Sequence, residues 1–305
     1  MSDLRLVLPG EARINEGPVW SAEERALYWT EIHGFRLHRL DTVTGQVRTW
    51  PMKEKVASFA LCEGGGLVVG LHGGFALIDP ETDSLIRLAQ PFGPALEVHL
   101  NDGRCDRSGR HFWSGTLHEP RTKKNGALFR LSRDGTATQM ADGVIASNGI
   151  AFSPDNRVLY YADSRGPVVW AFDHDETTGT IANRRLFATV PAGEGMPDGA
   201  AVDAEGCYWS ARFLGRRIVR YRPDGSVDRM IPMPVTNATM MAFGGPDYRT
   251  LYITTGRGAL DPAALAQEPW AGGILAMTVD VPGLPEPRFQ PDPGLWQRPR
   301  ERASS

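Results

Sequence analysis

Cysteine is scarce in this 305-residue sequence: Cys62, Cys105 and Cys207 are the full complement, and no Cys-x-x-Cys occurs. An odd set without metal-finger spacing favours buried free thiols over a disulfide scaffold or a zinc site. Long apolar runs are missing too. Stretches such as residues 66–71 are far too short to span a bilayer, and the N-terminus has neither the charged head nor the apolar segment of a signal peptide. The expected setting is therefore cytoplasmic and away from membranes. A net charge of −3 comes with no basic stripe, which argues against nucleic acid as a partner. Helical periodicity is nearly absent, residues 261–267 being the one short candidate, and no Gly-x-Ser-x-Gly elbow appears, so a serine nucleophile is disfavoured.

What is present is a repeat. Residues 195–211 read as a strand led by Asp198, a tight turn from Asp203 to Gly206, and a second, aromatic strand. Counting back five residues from each equivalent turn gives Glu16, Ser58, Asn101, Asn148, Asp198 and, in a weaker copy, Met240. Their spacings are 42, 43, 47, 50 and 42 residues. Each copy carries four short strands punctuated by turns such as Asp134-Gly135 and Asp224-Gly225. Six such units predict an all-β fold, a six-bladed β-propeller with four antiparallel strands per blade. The length alone would favour two domains, but a closed repeat array overrides that prior. The sixth copy lacks a fourth strand after residues 273–279, and residues 4–9 are expected to supply it and close the ring. One domain over residues 1–285 follows, with residues 286–305, rich in Pro and Arg, as a C-terminal surface tail.

Repeat position now becomes chemistry. Pseudo-symmetry brings the six anchor residues to one height around the channel mouth, and four of them offer carboxylate or amide oxygens. Two carboxylates converging in a partly desolvated channel repel each other unless a cation sits between them. Hard oxygen ligands suit calcium, magnesium or manganese without excluding zinc or iron. The competing use of these groups is hydrogen bonding to inner-strand backbone.

The same residues carry a resemblance. Asn15-Glu16-Gly17-Pro18-Val19-Trp20, Asn101-Asp102-Gly103-Arg104, the run from Ser147-Asn148-Gly149 to Asp155, and Pro197-Asp198-Gly199 together resemble the senescence-marker/gluconolactonase family of sugar lactonases, over about residues 10–285. The segment from Phe243-Gly244-Gly245-Pro246-Asp247 to Gly272-Gly273 is most similar to bacterial aldonolactonases. The resemblance implies one divalent metal held by Glu16, Asn148 and Asp198, with Asn101 touching substrate. The chain departs from the family at His99, where many relatives carry an arginine that grips the lactone. That departure bears on sugar preference; His99 as a simple wall residue is the other reading.

Hydrolysis of a lactone needs a better electrophile than an ester carbonyl and a better nucleophile than water, and a cation with open positions supplies both. Asp198 is then a metal ligand and the expected proton acceptor for the attacking water, and Asn101 the expected partner of the developing oxyanion. Two long loops on the mouth side, residues 116–126 and 255–272, bring Glu119, Arg121, Lys123 and Arg257 to the rim, with Arg165 and Arg212 from shorter loops; Glu119 and Arg257 are the favoured substrate contacts among them. The aromatics of the second strands, Trp29, Trp113, Tyr160, Trp209 and Tyr252, recur with the blade period and read as core between blades. Three functions compete: a metal-dependent sugar lactonase, an esterase or organophosphate hydrolase using the same cation, and a non-enzymatic binding propeller. The first is favoured, because a scaffold has no need for Glu16, Asn148 and Asp198 to converge.

Overall fold

A computed structural model describes residues 3–93 and 97–297. Its strands form six antiparallel sheets of four, each continuous in sequence but one, arranged as the six-bladed propeller that the repeat predicts. Blade one consists of Asn15–Ser21, Ala26–Glu31, Arg36–Asp41 and Val47–Pro51. The innermost strands of the next five blades are Val56–Leu61, Val98–Cys105, Ser147–Phe152, Met196–Val202 and Ala238–Gly244. Blade six takes its outermost strand from the N-terminus: Arg5–Leu8 pairs with Ile274–Thr278, Arg5 opposite Ala276. Asp3 secures this closure by accepting hydrogen bonds from Thr278 N at 2.7 Å and Thr278 Oγ1 at 2.5 Å.

Neighbouring blades cover both faces of each sheet, so inner and second strands lose the apolar-polar alternation of a half-solvated strand. Val56–Leu61 and Leu67–Leu71 are buried at every position, while Val47–Pro51, outermost in its blade, buries only Trp50. The recurrent aromatics pack across blade boundaries as expected. Trp20 stacks on Tyr252 at 5.6 Å between ring centroids, Trp209 meets Phe243 edge-on at 5.7 Å, and Tyr160 meets Tyr208 at 5.0 Å. Truncating a buried aromatic of this kind to alanine typically costs about 3–5 kcal/mol. All three cysteines are buried and free. The one α-helix among the described residues, Pro262–Gln267, starts where Asp261 accepts from Ala264 N at 2.8 Å and a proline fills the first turn.

The described part of the expected surface tail is instead a strap. Residues 281–297 run along the face opposite the start of the inner strands, hydrogen-bonding the hairpin turns of several blades: Ala204 N donates to Pro282 O, Phe289 N to Leu61 O and Gln290 N to Gly109 O. Phe289 is fully buried, Leu295 nearly so, and Glu286 forms a 2.6 Å ion pair with Arg104. Its buried apolar side chains, Val281, Phe289 and Leu295, are dispersed among prolines and arginines and seat it. Residues 298–305 lie outside the described residues. Among the described residues no helix is long and apolar enough to cross a membrane.

Candidate active site

In every blade the pairing of the innermost strand with the second shifts register, and the shift falls on or beside the repeat anchor: between Glu16 and Val19, Val56 and Ser58, Leu100 and Gly103, Asn148 and Ala151, Pro197 and Ala200, and Ala238 and Met240. Such a bulge re-aims a side chain out of the ladder, here toward the channel. Glycine makes it possible at Gly17 and Gly149, which follow Glu16 and Asn148 with φ of +55° and +62°. A Cβ on Gly149 would also lie 2.3 Å from the Tyr208 hydroxyl, which donates to the Gly149 carbonyl.

Glu16, Asn101, Asn148 and Asp198 all line one cavity of about 160 Å³ at this end of the channel. The remaining two anchors do not. The Ser58 hydroxyl is turned to Ser114 Oγ, 3.3 Å away, and Met240 is buried against Gly199 below the cavity. The ring is thus four polar groups, with a serine and a methionine withdrawn from it.

Local bonds fix the orientation of these groups. Asn148 Nδ2 donates to Ser164 Oγ at 2.8 Å, and that hydroxyl donates to Pro197 O at 2.6 Å, so Asn148 Oδ1 is left facing its neighbours in the ring. Asn101 Nδ2 donates to Ser147 O at 2.8 Å and makes a longer, 3.3 Å contact with Asn148 Oδ1. Glu16 Oε2 accepts from Gly17 N at 3.1 Å, and the Gly199 N–H favours the Asp198 carboxylate. Among the described residues neither carboxylate has an ion pair. Burial, then the charges of Asp198 and Asp102, push the Glu16 carboxyl well above its ordinary range. Burial and Asp102 do the same to Asp198, with Arg121 opposing. Asp102, buried one residue after Asn101, is raised by burial and partly relieved by the Ile150 N–H at 2.9 Å.

Crowded carboxyls, of which Glu16 and Asp198 have no ion pair among the described residues, are the environment that a bound cation relieves. Among the described residues no group of three or more His, Cys, Asp and Glu side chains is placed to hold a metal ion. A cation here would use an amide oxygen beside two carboxylates. The donor chemistry fits: Glu16, Asp198 and the exposed face of Asn148 Oδ1 are hard oxygen ligands of the kind that divalent cations prefer.

On the cavity wall, His99 stacks on His72 at 4.9 Å, donates from Nδ1 to Leu100 O at 2.8 Å, and meets Glu119 Oε2 with Nε2 at 2.7 Å. Since Nδ1–H is committed to a carbonyl, the second contact requires a proton shared between imidazole and carboxylate. Burial pulls the His99 pKa down while Glu119 counteracts it. Of the expected rim cations, Arg121 and Arg165 line the cavity, and Arg257, Lys123 and Arg212 do not. Arg257 turns back onto its own loop, donating to Ala271 O at 3.0 Å and pairing with Glu11 at 3.1 Å. Lys123 pairs with Glu97 at 3.4 Å. Arg212 is fully buried between Ser210 and Tyr221. Lys55, His33 and Ser164 join the lining unforeseen. Lys55 immediately precedes an inner strand, the position that pseudo-symmetry turns toward the mouth, and that rule would have found it.

The description of the family model that matches residues 14–257 is "SMP-30/Gluconolactonase/LRE-like region". The chain is 43% identical to a 6-deoxy-6-sulfogluconolactonase of Pseudomonas putida, covering 94% of this chain and 98% of that protein. It is 35% identical to human regucalcin over 91% and 95% of the two chains. Among solved structures, it superposes on a calcium-binding regucalcin from Agrobacterium tumefaciens with a TM-score of 0.88 and 25% identity, over 93% and 96% of the chains. The chain belongs to the SMP-30/gluconolactonase/LRE-like family.

Proposed function

We propose that this protein hydrolyses a sugar lactone to the open acid, using one divalent cation held by Glu16, Asn148 and Asp198. The observation that carries the reading is the convergence of Glu16, Asn101, Asn148 and Asp198 in a single cavity, each from a different blade. When bound, such a cation supplies Lewis-acid polarisation of the ester carbonyl and a more acidic water. The chain's own groups do the rest. Asp198, with one carboxylate oxygen to spare, accepts the proton of the attacking water. Asn101 holds one N–H on Ser147 O and the other only loosely on Asn148 Oδ1 at 3.3 Å, so the second is available to a substrate oxygen that gains charge. Asn148 keeps its carbonyl in the ring because Ser164 fixes its amide nitrogen. His99 and Glu119, sharing a proton, present a polar wall suited to sugar hydroxyls.

Membership of a family whose description includes gluconolactonase, and the name of the Pseudomonas putida relative, support the lactone as the substrate class. The cation is one of calcium, magnesium, manganese, zinc or iron; the Agrobacterium relative is a calcium-binding protein. A panel of aldonolactones, aryl esters and phosphotriesters tests the reading. Aldonolactones are expected to be turned over with the highest kcat/KM. Faster turnover of phosphotriesters or aryl esters would replace a lactonase with the other hydrolase, and no turnover of any would leave a binding propeller.

A further inference from the structure

The rim of the cavity carries positive charge that the protein leaves unused. We propose that Arg121, with Lys55 and Arg165, forms a subsite for a tetrahedral oxyanion, a sulfonate or a phosphate, carried by the lactone at the end remote from its ring carbonyl. The proposal deepens the lactonase reading and rests on it for the identity of the reacting group.

The charges are free where several nearby cations are paired. Near the same loops, Lys123 meets Glu97, Arg216 meets Glu268 and Arg217 meets Glu194. Among the described residues the guanidinium groups of Arg121 and Arg165 and the ammonium of Lys55 have neither an ion pair nor a hydrogen bond, although all three line the cavity. The net charge of −3 makes such a concentration unlike the chain as a whole.

The loop that carries Arg121 is built, not slack. His118 is completely buried, and its Nδ1 accepts from Thr122 N and Lys123 N, each at 3.1 Å. Arg121 N closes the turn on His118 O at 2.7 Å, leaving Arg121 with φ of +56°. Glycine adopts that conformation without strain and an arginine does not, so a long cationic side chain is being held there against a local backbone preference. Its charge reaches both Asp198 and His33. His33, also on the rim, has its pKa lowered by burial and then by Arg13, Lys55 and Arg121, which marks this side of the mouth as electropositive.

The cavity is thus polarised, with carboxylates at its floor and cations at its rim. A lactone with an anionic tail can meet both ends at once, tail outward at the cations and ester inward at the ring of oxygen ligands. Three cations of which two are guanidiniums match the three terminal oxygens of a sulfonate or phosphate better than the two of a carboxylate.

The test compares kcat/KM for 6-phosphogluconolactone, for the 6-sulfonated lactone and for unsubstituted gluconolactone, using the cation-loaded full chain and its Arg121→Met/Lys55→Met variant. The anionic lactones are expected to be preferred by about a hundredfold in the wild type. In the variant the ratio should fall to within a few-fold of one, and raising the salt concentration should erode it in the wild type. The larger of the two anionic values tells sulfonate from phosphate. No preference in the wild type, or a preference that survives the double substitution, would overturn the subsite. If no lactone is hydrolysed, the lactonase reading fails separately, and calorimetric binding of 6-phosphogluconate against gluconate decides the subsite. Tighter binding of the phosphorylated acid, lost in the variant, supports it; equal binding overturns it.

Discussion

At the lower end of the channel, on the strap side, buried acids have protein partners. Asp203, fully buried, accepts from Trp209 Nε1 at 2.7 Å and pairs with Arg220 at 2.8 Å; Glu286 pairs with Arg104 at 2.6 Å; Asp106 contacts His111 Nδ1 at 2.7 Å. At the upper end Glu16 and Asp198 converge, and among the described residues neither has an ion-pair partner. Both ends are built from the same repeat, with the same strands and the same desolvation, so the difference lies in which charges the fold neutralises for itself. A carboxylate with a buried partner holds structure, and one left uncompensated costs stability, which is the arrangement that the proposed cation would relieve.

The most severe way to probe the contrast is Asp198→Asn, which keeps shape and a carbonyl oxygen but removes the proposed proton acceptor. Turnover measured with the cation saturating should fall by about a hundred- to ten-thousandfold, roughly 3 to 5 kcal/mol. Near-normal turnover would leave Asp198 as a ligand alone. Asn101→Ala should cost slightly less, about a hundred- to a thousandfold in kcat, while cation affinity measured by calorimetry stays unchanged. At the other end, Asp203→Asn should leave kcat alone and cost about 3 kcal/mol of stability in denaturant titration, since it breaks a buried pair. In cation-free protein Asp198→Asn should do the opposite and raise the melting temperature. Equal destabilisation by the two substitutions would erase the distinction between the ends.

The smallest effect concerns His174, a buried ring outside the channel that packs edge-on against Trp113 at 5.6 Å and donates from Nδ1 to Asn156 O at 2.7 Å. Burial, outweighing that bond and nearby acids, holds its pKa below the ordinary 6.5. The folded form keeps the ring neutral, and the unfolded chain takes up the proton first as pH falls. The stabilisation is complete above about pH 6.5 and is lost progressively below it. The drop in melting temperature between pH 7 and pH 5 should therefore be smaller in His174→Phe than in the wild type, and an equal drop would assign the effect to other groups.

The blades, the closing strand and the four polar anchors were legible because a repeat prints the same turn and the same bulge six times, so Asp203-x-x-Gly206 locates Asp198 and, by symmetry, Glu16 and Asn148. What pseudo-symmetry does not govern was illegible. Arg257 sits in a long loop on the correct face, but loop length says nothing of direction, and its guanidinium is used by Ala271 and Glu11. The strap was hidden by its Pro- and Arg-rich composition, because three dispersed buried side chains, Val281, Phe289 and Leu295, leave no periodicity to read. His118 organises its loop through backbone N–H groups several residues away, a relation that no side-chain pattern announces.

The uncompensated pair at the upper end is tested most directly by lactone turnover of chelator-stripped protein, its metal content checked by elemental analysis, before and after one divalent cation per chain is returned. Turnover should be absent in the stripped protein and restored near one equivalent of cation. Full turnover in protein shown to be free of metal would contradict the account, because Glu16 and Asp198 would then be working as a bare pair of carboxyls.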